Sequence, residues 1–358
     1  MRSAAIDLWT TSLPTERLHP HFRSIAANPV DRACLDRWAE GFLDVNNNIV
    51  HEFQTKFSPA FWELYLYRMF MSLGFTVSRP SDRPDFVVDR GDSIAVEAKV
   101  TEAGPRQAPV WMPIHEVPLD REQFYDQTCA KLSGAIYTKL KHYRTYAHEP
   151  AVKGKAFLLC LNPYDSPHFV MQGFGALTRV LYQYCDPTFI IDQNGMMVET
   201  GHRRVESFTT QSGAIVPFGV FLDPANSELS AVYFNPRATV SKLFADPRRN
   251  GHPSERVIAA WYMVSDGTMN LQDIHPGNYR ETMADGGYLM LNAYAEYPID
   301  PEPFFRQGVA ICSFDPATRV LTSRTPTPFL KTRVTCGVLP DGFPPELMVN
   351  GKAAHSTE

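Results

Sequence analysis

FWELYLYRMFMSLGFTVSRPSDRPDFVVDRGDSIAVEAKVT, residues 61–101, is the stretch on which the fold turns. Just upstream, Ser58-Pro59 offers an N-cap with proline at the first helical position, and Gly74 suits the residue after a last turn. The pattern therefore predicts a helix over Pro59–Leu73. It is apolar almost all round, so it is expected to be buried. Glu63 and Arg68 are its only charges, and a carboxylate there is costly unless paired, protonated or bound to a metal.

Three short strands are expected next, over Phe75–Ser78, Phe86–Asp89 and Ile94–Val100. In the last, Ile94, Val96, Ala98 and Val100 point one way, and Ala95, Glu97, Lys99 and Thr101 the other. The turn between the second and third strands sets what faces Glu97. A three-residue loop, Arg90-Gly91-Asp92, closes Asp89 on Ser93 and places Asp85 opposite Glu97. A two-residue Gly91-Asp92 turn shifts the register by one, and Asp85 then needs a bulge to reach that face.

Working outward, Val30–Phe57 has helical spacing broken at Asn46, Asn47 and Asn48, giving two helical pieces. After the strands, residues 102–122 form a long proline-rich loop, followed by a helix over Gln123–Ala147. A buried strand over Lys155–Asn162 and an amphipathic helix over 169–186 complete an α/β core. Beyond it, strands are expected at Phe189–Asp192, Met196–Glu199, Ala214–Leu222, Leu229–Phe234, Val257–Val264, Tyr288–Glu296, Val309–Phe314 and Arg333–Leu339. The overall expectation is an α/β (α+β) chain in three parts. These are an N-terminal helical extension over 1–57, a core over 58–186 and a β-rich region over 187–358.

The chain has 358 residues, 44% of them hydrophobic, enough for a sizeable core. Its net charge is −5, from 34 basic and 39 acidic side chains, so any nucleic-acid contact needs a local basic patch or bridging cations. The six cysteines form no CxxC pair, which argues against a zinc ribbon or a disulfide scaffold and for buried thiols. The first residues lack a signal peptide's apolar core, and no window approaches ~18 apolar residues in a row. A cytoplasmic protein with no membrane partner is expected. No HExxH, GxSxG, P-loop or complete dinucleotide fingerprint occurs.

Carboxylates and a lysine converging on one hairpin suit metal-assisted phosphodiester hydrolysis, since hard oxygen donors hold Mg²⁺ and a nearby ammonium orients water. Asp85 and Glu97 suit the ligand role, with the Ala98 carbonyl as a further oxygen and Glu63 as a third acid. Each also has an ordinary role open to it. Glu97 and Lys99 could be the solvated face of an edge strand, Asp85 a turn residue, and Glu63 a structural acid paired with Arg68 or Arg83. Arg203, Arg204, Arg248, Arg249 and Arg256 form a candidate DNA-facing patch in the β-rich half.

Pro84-Asp85 followed by Glu97-Ala98-Lys99 resembles the PD-(D/E)XK signature of the restriction-endonuclease-like nucleases, over roughly residues 58–162. The resemblance implies a mixed-sheet core with flanking helices and a Mg²⁺- or Mn²⁺-dependent nuclease, with DNA the expected substrate and room for a homodimer. Asp85, Glu97, Lys99 and Glu63 would be catalytic, with Asp85, Glu97, Ala98 and Glu63 holding metal. Gln127, Lys131, Lys139, Lys141 and Arg144 on the following helix would contact nucleic acid, Gln127 and Lys131 being nearest the family's helix position. The alternative is an inactive module of the same fold that binds nucleic acid or a protein.

Overall fold

The computed structural model describes residues 6–105, 107–110, 112, 121–191, 193, 197–210, 213–246 and 255–336. Four helices lead in: α1 (Pro20–Ala26), α2 (Pro29–Ala39), α3 (Ile49–Thr55) and α4 (Ser58–Ser72). The break between α2 and α3 falls at the asparagine run, as expected. Helix α4 starts one residue earlier than predicted. Phe57, not Ser58, occupies the cap position at φ 64°, ψ −66°, and the Ser58 N–H bonds to the Lys56 carbonyl at 2.9 Å, closing a γ-turn. Its other end follows the sequence: Gly74 lies at φ 83°, with Gly74 N–H to Met71 O at 3.0 Å and Phe75 N–H to Phe70 O at 3.1 Å. That pair of bonds is a Schellman motif.

Strands β1 (Thr76–Ser78), β2 (Phe86–Asp89) and β3 (Ser93–Glu102) form an antiparallel meander. Helix α5 (Arg121–Tyr146) then crosses over to β4 (Ala156–Tyr164), which lies parallel to β3. Helix α6 (Phe169–Tyr182) ends four residues short of the expected limit because Gln183 adopts a left-handed conformation at φ 56°. Beyond it come β5 (Tyr184–Ile191), β6 (Met197–Arg204), β7 (Ser207–Thr209), β8 (Ile215–Pro217), β9 (Leu229–Phe234), β10 (Arg256–Met263), β11 (Thr268–Ile274) and β12 (Tyr288–Leu291). The chain closes with α7 (Glu302–Phe305), β13 (Ala310–Asp315), β14 (Val320–Arg324) and β15 (Phe329–Cys336).

One eight-stranded mixed sheet, in the order β1-β2-β3-β4-β9-β12-β13-β14, organises the molecule. The expected boundary at residue 187 is not a break in this sheet, since β9, β12, β13 and β14 continue it. Side chains alternate across it. Val96, Leu158, Cys160, Ala231, Tyr233 and Leu289 pack with α1–α4 on one face. Ala95, Phe157, Leu159, Val232 and Met290 pack with α5 and α6 on the other. The helices of the N-terminal extension thus form one outer layer of the core. A second sheet, β11-β10-β15, lies to one side with its own small cluster around Trp261, Tyr279 and Leu330.

Several strand expectations need correction, among them the starts of β5 and β15, which lie at Tyr184 and Phe329 and not at Phe189 and Arg333. The span Ala214–Leu222 divides into β8 and a 3₁₀ turn at Val220–Leu222, because Gly219 turns left-handed at φ 92°. Strand β12 stops at Leu291, where the Asn292 side chain bonds the Asn226 and Leu229 carbonyls. Strands β7, β11 and β14 were not expected; all three are largely exposed edges, without the apolar alternation that marks a half-buried strand. The five cysteines that can be described, Cys34, Cys129, Cys160, Cys185 and Cys312, are buried free thiols. Among the described residues no helix is long and apolar enough to cross a membrane.

Candidate active site

The turn between β2 and β3 takes the three-residue form. Asp89 pairs with Ser93 and Phe86 with Val96, so one step further Asp85 stands opposite Glu97. Below Asp85, β2 has ended, and β3 from Glu97 to Glu102 pairs only with β4. Asp85 covers the start of that open edge, its Oδ2 accepting the Ala98 N–H at 2.7 Å.

Glu97 is 3% exposed and has both oxygens occupied. Oε2 takes a hydrogen bond from the Lys139 ammonium and Oε1 one from the Tyr146 hydroxyl, both on α5. Lys139 Nζ also lies 3.7 Å from Asp85 Oδ2, so one cation serves two carboxylates. Burial works against the charged ammonium, yet Asp85 and Glu97 outweigh it and hold the lysine above its ordinary pKa. Burial, and next the Glu97 charge, push the Tyr146 phenol far up, so it stays a donor.

Glu63 approaches from the other face on α4. It pairs with Arg79 at 3.2 Å, not with Arg68 or Arg83, and Arg79 is wedged against the rings of Phe42 and Phe86 at 4.6 and 5.3 Å. Burial first, then the nearby Asp85 charge, push Glu63 up to about 8. Asp85 is pushed up to about 6 by burial, with Lys139 pulling the other way. A cleft of about 220 Å³ opens over these groups, lined by Trp62, Glu63, Asp85, Lys99, Glu102 and Lys139. Lys99 is exposed at its mouth.

Asp85, Glu97, Lys99, Ala98 and Glu63 therefore meet around one small region. The expected three-acid ligand set is not assembled, however. Among the described residues, no group of three or more His, Cys, Asp or Glu side chains is arranged to hold a metal ion. What remains is the Asp85–Glu97 pair. Its hard oxygens, already bridged by a cation at Lys139, together with the Ala98 carbonyl fit a divalent ion in donor type.

Of the expected contacts on α5, Lys139 is the one that enters the site. Lys131 instead bonds the Glu102 carbonyl at 3.0 Å and lies 3.8 Å from Asp165, while the Gln127 Oε1 accepts from the Gln107 amide at 2.9 Å. Lys141 is exposed, and Arg144 is tied to Glu228 and the Ala225 carbonyl. In the suggested arginine patch, Arg204 bonds Gln183, and Arg248 and Arg249 lie outside the described residues. Sequence reasoning missed Arg79 and Tyr146. Neither carries a motif signal, although Tyr146 follows Lys139 by two helical turns, i to i+7, on the same face.

The chain matches no protein-family model, no curated protein and no solved structure.

Proposed function

We propose that the chain is a metal-dependent phosphodiesterase of restriction-endonuclease-like architecture, acting on DNA. The observation that carries this is the cross-strand pair Asp85–Glu97, bridged by one cation, with Lys99 exposed two residues along the same strand. The order α4, a three-strand meander, the α5 crossover and a parallel β4 supports the architecture.

Asp85, Glu97 and the Ala98 carbonyl would hold Mg²⁺ or Mn²⁺, which would supply an acidified water and charge to offset the phosphate. The chain's own residues do the rest. Lys99 presents an ammonium at the cleft mouth, where it orients the attacking water against a phosphate oxygen. Tyr146 fixes Glu97 through its second oxygen, so the carboxylate keeps one orientation. Lys139 prevents repulsion between the two acids. Glu63 with Arg79 closes the floor of the cleft, and Lys141 on the exposed side of α5 is available to the backbone.

The test is nicking of supercoiled plasmid and single-stranded DNA with Mg²⁺ or Mn²⁺. Glu97→Ala and Lys99→Ala should each lose roughly a hundredfold or more of the rate. Undiminished activity in both would overturn the proposal.

A second function has its own support. Glu97 is sealed from solvent with both oxygens already bonded inside the protein, as a purely structural acid would be. A non-catalytic module that binds nucleic acid or protein would keep this arrangement. Calorimetric titration with Mg²⁺ and Mn²⁺ separates the two, because the module should give no heat of metal binding.

A further inference from the structure

At the end of β9, Asn235-Pro236-Arg237 turns the chain away from the sheet, and this turn is held from several sides. The Asn235 Oδ1 accepts the Arg237 N–H at 2.9 Å, and its Nδ2 donates to the Tyr65 hydroxyl at 2.9 Å and the Asp285 carbonyl at 3.2 Å. Arg333 on β15 donates to the Arg237 carbonyl. The Arg237 side chain then crosses Gly286, where a Cβ would lie 2.5 Å from Arg237 Cγ and where φ is +80°. Only glycine leaves that passage open.

The guanidinium enters a region short of negative charge. Glu281 already serves two fully buried cations, Lys242 at 2.7 Å and Arg333 at 3.1 Å, and also accepts from Tyr279. The Asp285 Oδ2 accepts the Thr282 N–H at 2.6 Å. Arg237 makes no ion pair among the described residues, and its Nε and Nη1 are sealed from solvent without an acceptor. A second cation comes from the strand alongside: a Gly286 Cβ would also lie 3.3 Å from the Leu330 carbonyl, and the next residue, Lys331, holds its Nζ over the rings of Tyr262 and Phe329 at 5.2 and 5.3 Å. Burial lowers both cations, Arg237 to about 10, and the Arg237 charge lowers Lys331 further. Tyr288 packs edge-on to Phe329 at 5.3 Å and walls the same region.

Burying an arginine without a counter-ion is costly, and its planar fork of donors matches phosphate oxygens. Arg237 stays partly exposed, so an incoming group meets it from the open side and engages the sealed Nε and Nη1 only by displacing what covers them. We propose that Arg237 and Lys331 form a phosphate-binding site, walled by Tyr288 and Phe329, that takes the phosphate of a small phosphorylated compound or of a nucleic-acid backbone. Because β3, β4 and β9 are parallel, this site lies on the same sheet edge as the Asp85–Glu97 cleft, two strands over. At ~4.8 Å per strand that is about 10 Å sideways, and Asn235 lies three residues, roughly 10 Å, further along the strands than Val232, which is level with Glu97. Only the backbone source rests on the proposed nuclease function; the phosphate site itself does not.

The test uses the full chain in EDTA at constant ionic strength, so that no metal at the cleft contributes. Inorganic phosphate should raise the melting temperature of the wild type. Arg237→Met should melt at or above the wild type without phosphate, since it removes an uncompensated charge, and should gain nothing when phosphate is added. Fluorescence anisotropy with a labelled single-stranded DNA should show binding at least roughly tenfold weaker in Arg237→Met. A phosphate response with equal oligonucleotide affinity in both proteins assigns the site to a small phosphorylated compound. Lys331→Met, at a less buried position, gives the same readouts if Arg237→Met does not fold. The proposal fails if phosphate leaves the wild type unchanged and the oligonucleotide does not distinguish the proteins. It also fails if a folded variant melts well below the wild type and keeps the full phosphate response.

Discussion

Asp85 Oδ2 accepts the backbone N–H of Ala98 at 2.7 Å, a side chain standing in for the strand partner that β2 no longer supplies. The same carboxylate faces Lys139. Bond and charge can be separated by substitution. Asp85→Ala leaves the Ala98 N–H without its acceptor and should cost about 1–3 kcal/mol in urea denaturation. Asp85→Asn retains an acceptor oxygen and should stay within ~1 kcal/mol of the wild type. Equal losses in both variants would mean that the charge, and not the strand-edge bond, holds the hairpin.

Lys139 is the counter-ion of a carboxylate that is almost fully buried. Removing one member of such a pair is far worse than removing both, because the survivor keeps its desolvation cost. Lys139→Met should therefore lose ~3–5 kcal/mol, and Lys139→Met combined with Glu97→Gln should lose less than Lys139→Met alone. Tyr146→Phe deletes a single hydrogen bond to the same acid and should cost about 1–2 kcal/mol. A double variant no more stable than Lys139→Met would show that Lys139 acts through packing of its stem.

The Asp89–Ser93 pairing was one of two registers that the residues allowed, and the three-residue loop Arg90-Gly91-Asp92, with glycine where φ is positive at 104°, selects it. The buried helix α4 was legible from its apolar residues and its Gly74 end, although Phe57 and not Ser58 takes the cap position. Which basic residue of α5 meets Glu97 was not legible. Helix α5 runs antiparallel to β3, so Lys131 lands at Glu102 and Lys139, eight residues or ~12 Å further along the axis, at Glu97. That offset depends on the connection between β3 and α5, whose length in residues does not fix its path. The partner of Glu63 was hidden for a similar reason, because Arg79 reaches it across the meander and not along the helix. Strand β9 itself was legible in Leu229–Phe234, which is apolar apart from Ser230 and suits a strand covered on both faces, but its place in the core sheet was not.

Glu63 makes stability depend on pH in a definite direction. Its folded pKa, about 8, lies above the ordinary 4.5, so between those values the folded protein holds a proton that the unfolded chain has released. Stability contributed by this group is complete below pH 4.5 and is lost as the pH rises toward 8 and beyond. Glu63→Gln is neutral throughout. It should match the wild type near pH 4 and exceed it by at least ~1 kcal/mol at pH 9. Denaturation curves at the two pH values check this, and a constant difference between the proteins would contradict it.

His19 works with the opposite sign at the N-terminus of α1. Its Nδ1 accepts the His21 N–H at 3.2 Å as the helix cap, and its ring stacks on Phe57 at 5.4 Å between centroids. Burial, then the neighbouring His21 and Arg23, lower its pKa from 6.5 to about 4. Between those values the unfolded chain takes up a proton that the folded protein refuses, so stability falls as the medium is acidified. Asparagine is among the best N-caps and does not titrate, so His19→Asn keeps the cap and removes the proton uptake. The variant should start less stable at pH 7, because the ring packing on Phe57 is lost. From pH 6.5 to 4, however, it should lose about 1–2 kcal/mol less than the wild type. His21 is also lowered by burial, so some acid sensitivity should persist in His19→Asn and shrink further when both positions are replaced. Parallel acid limbs for wild type and His19→Asn would place the proton uptake elsewhere in the chain.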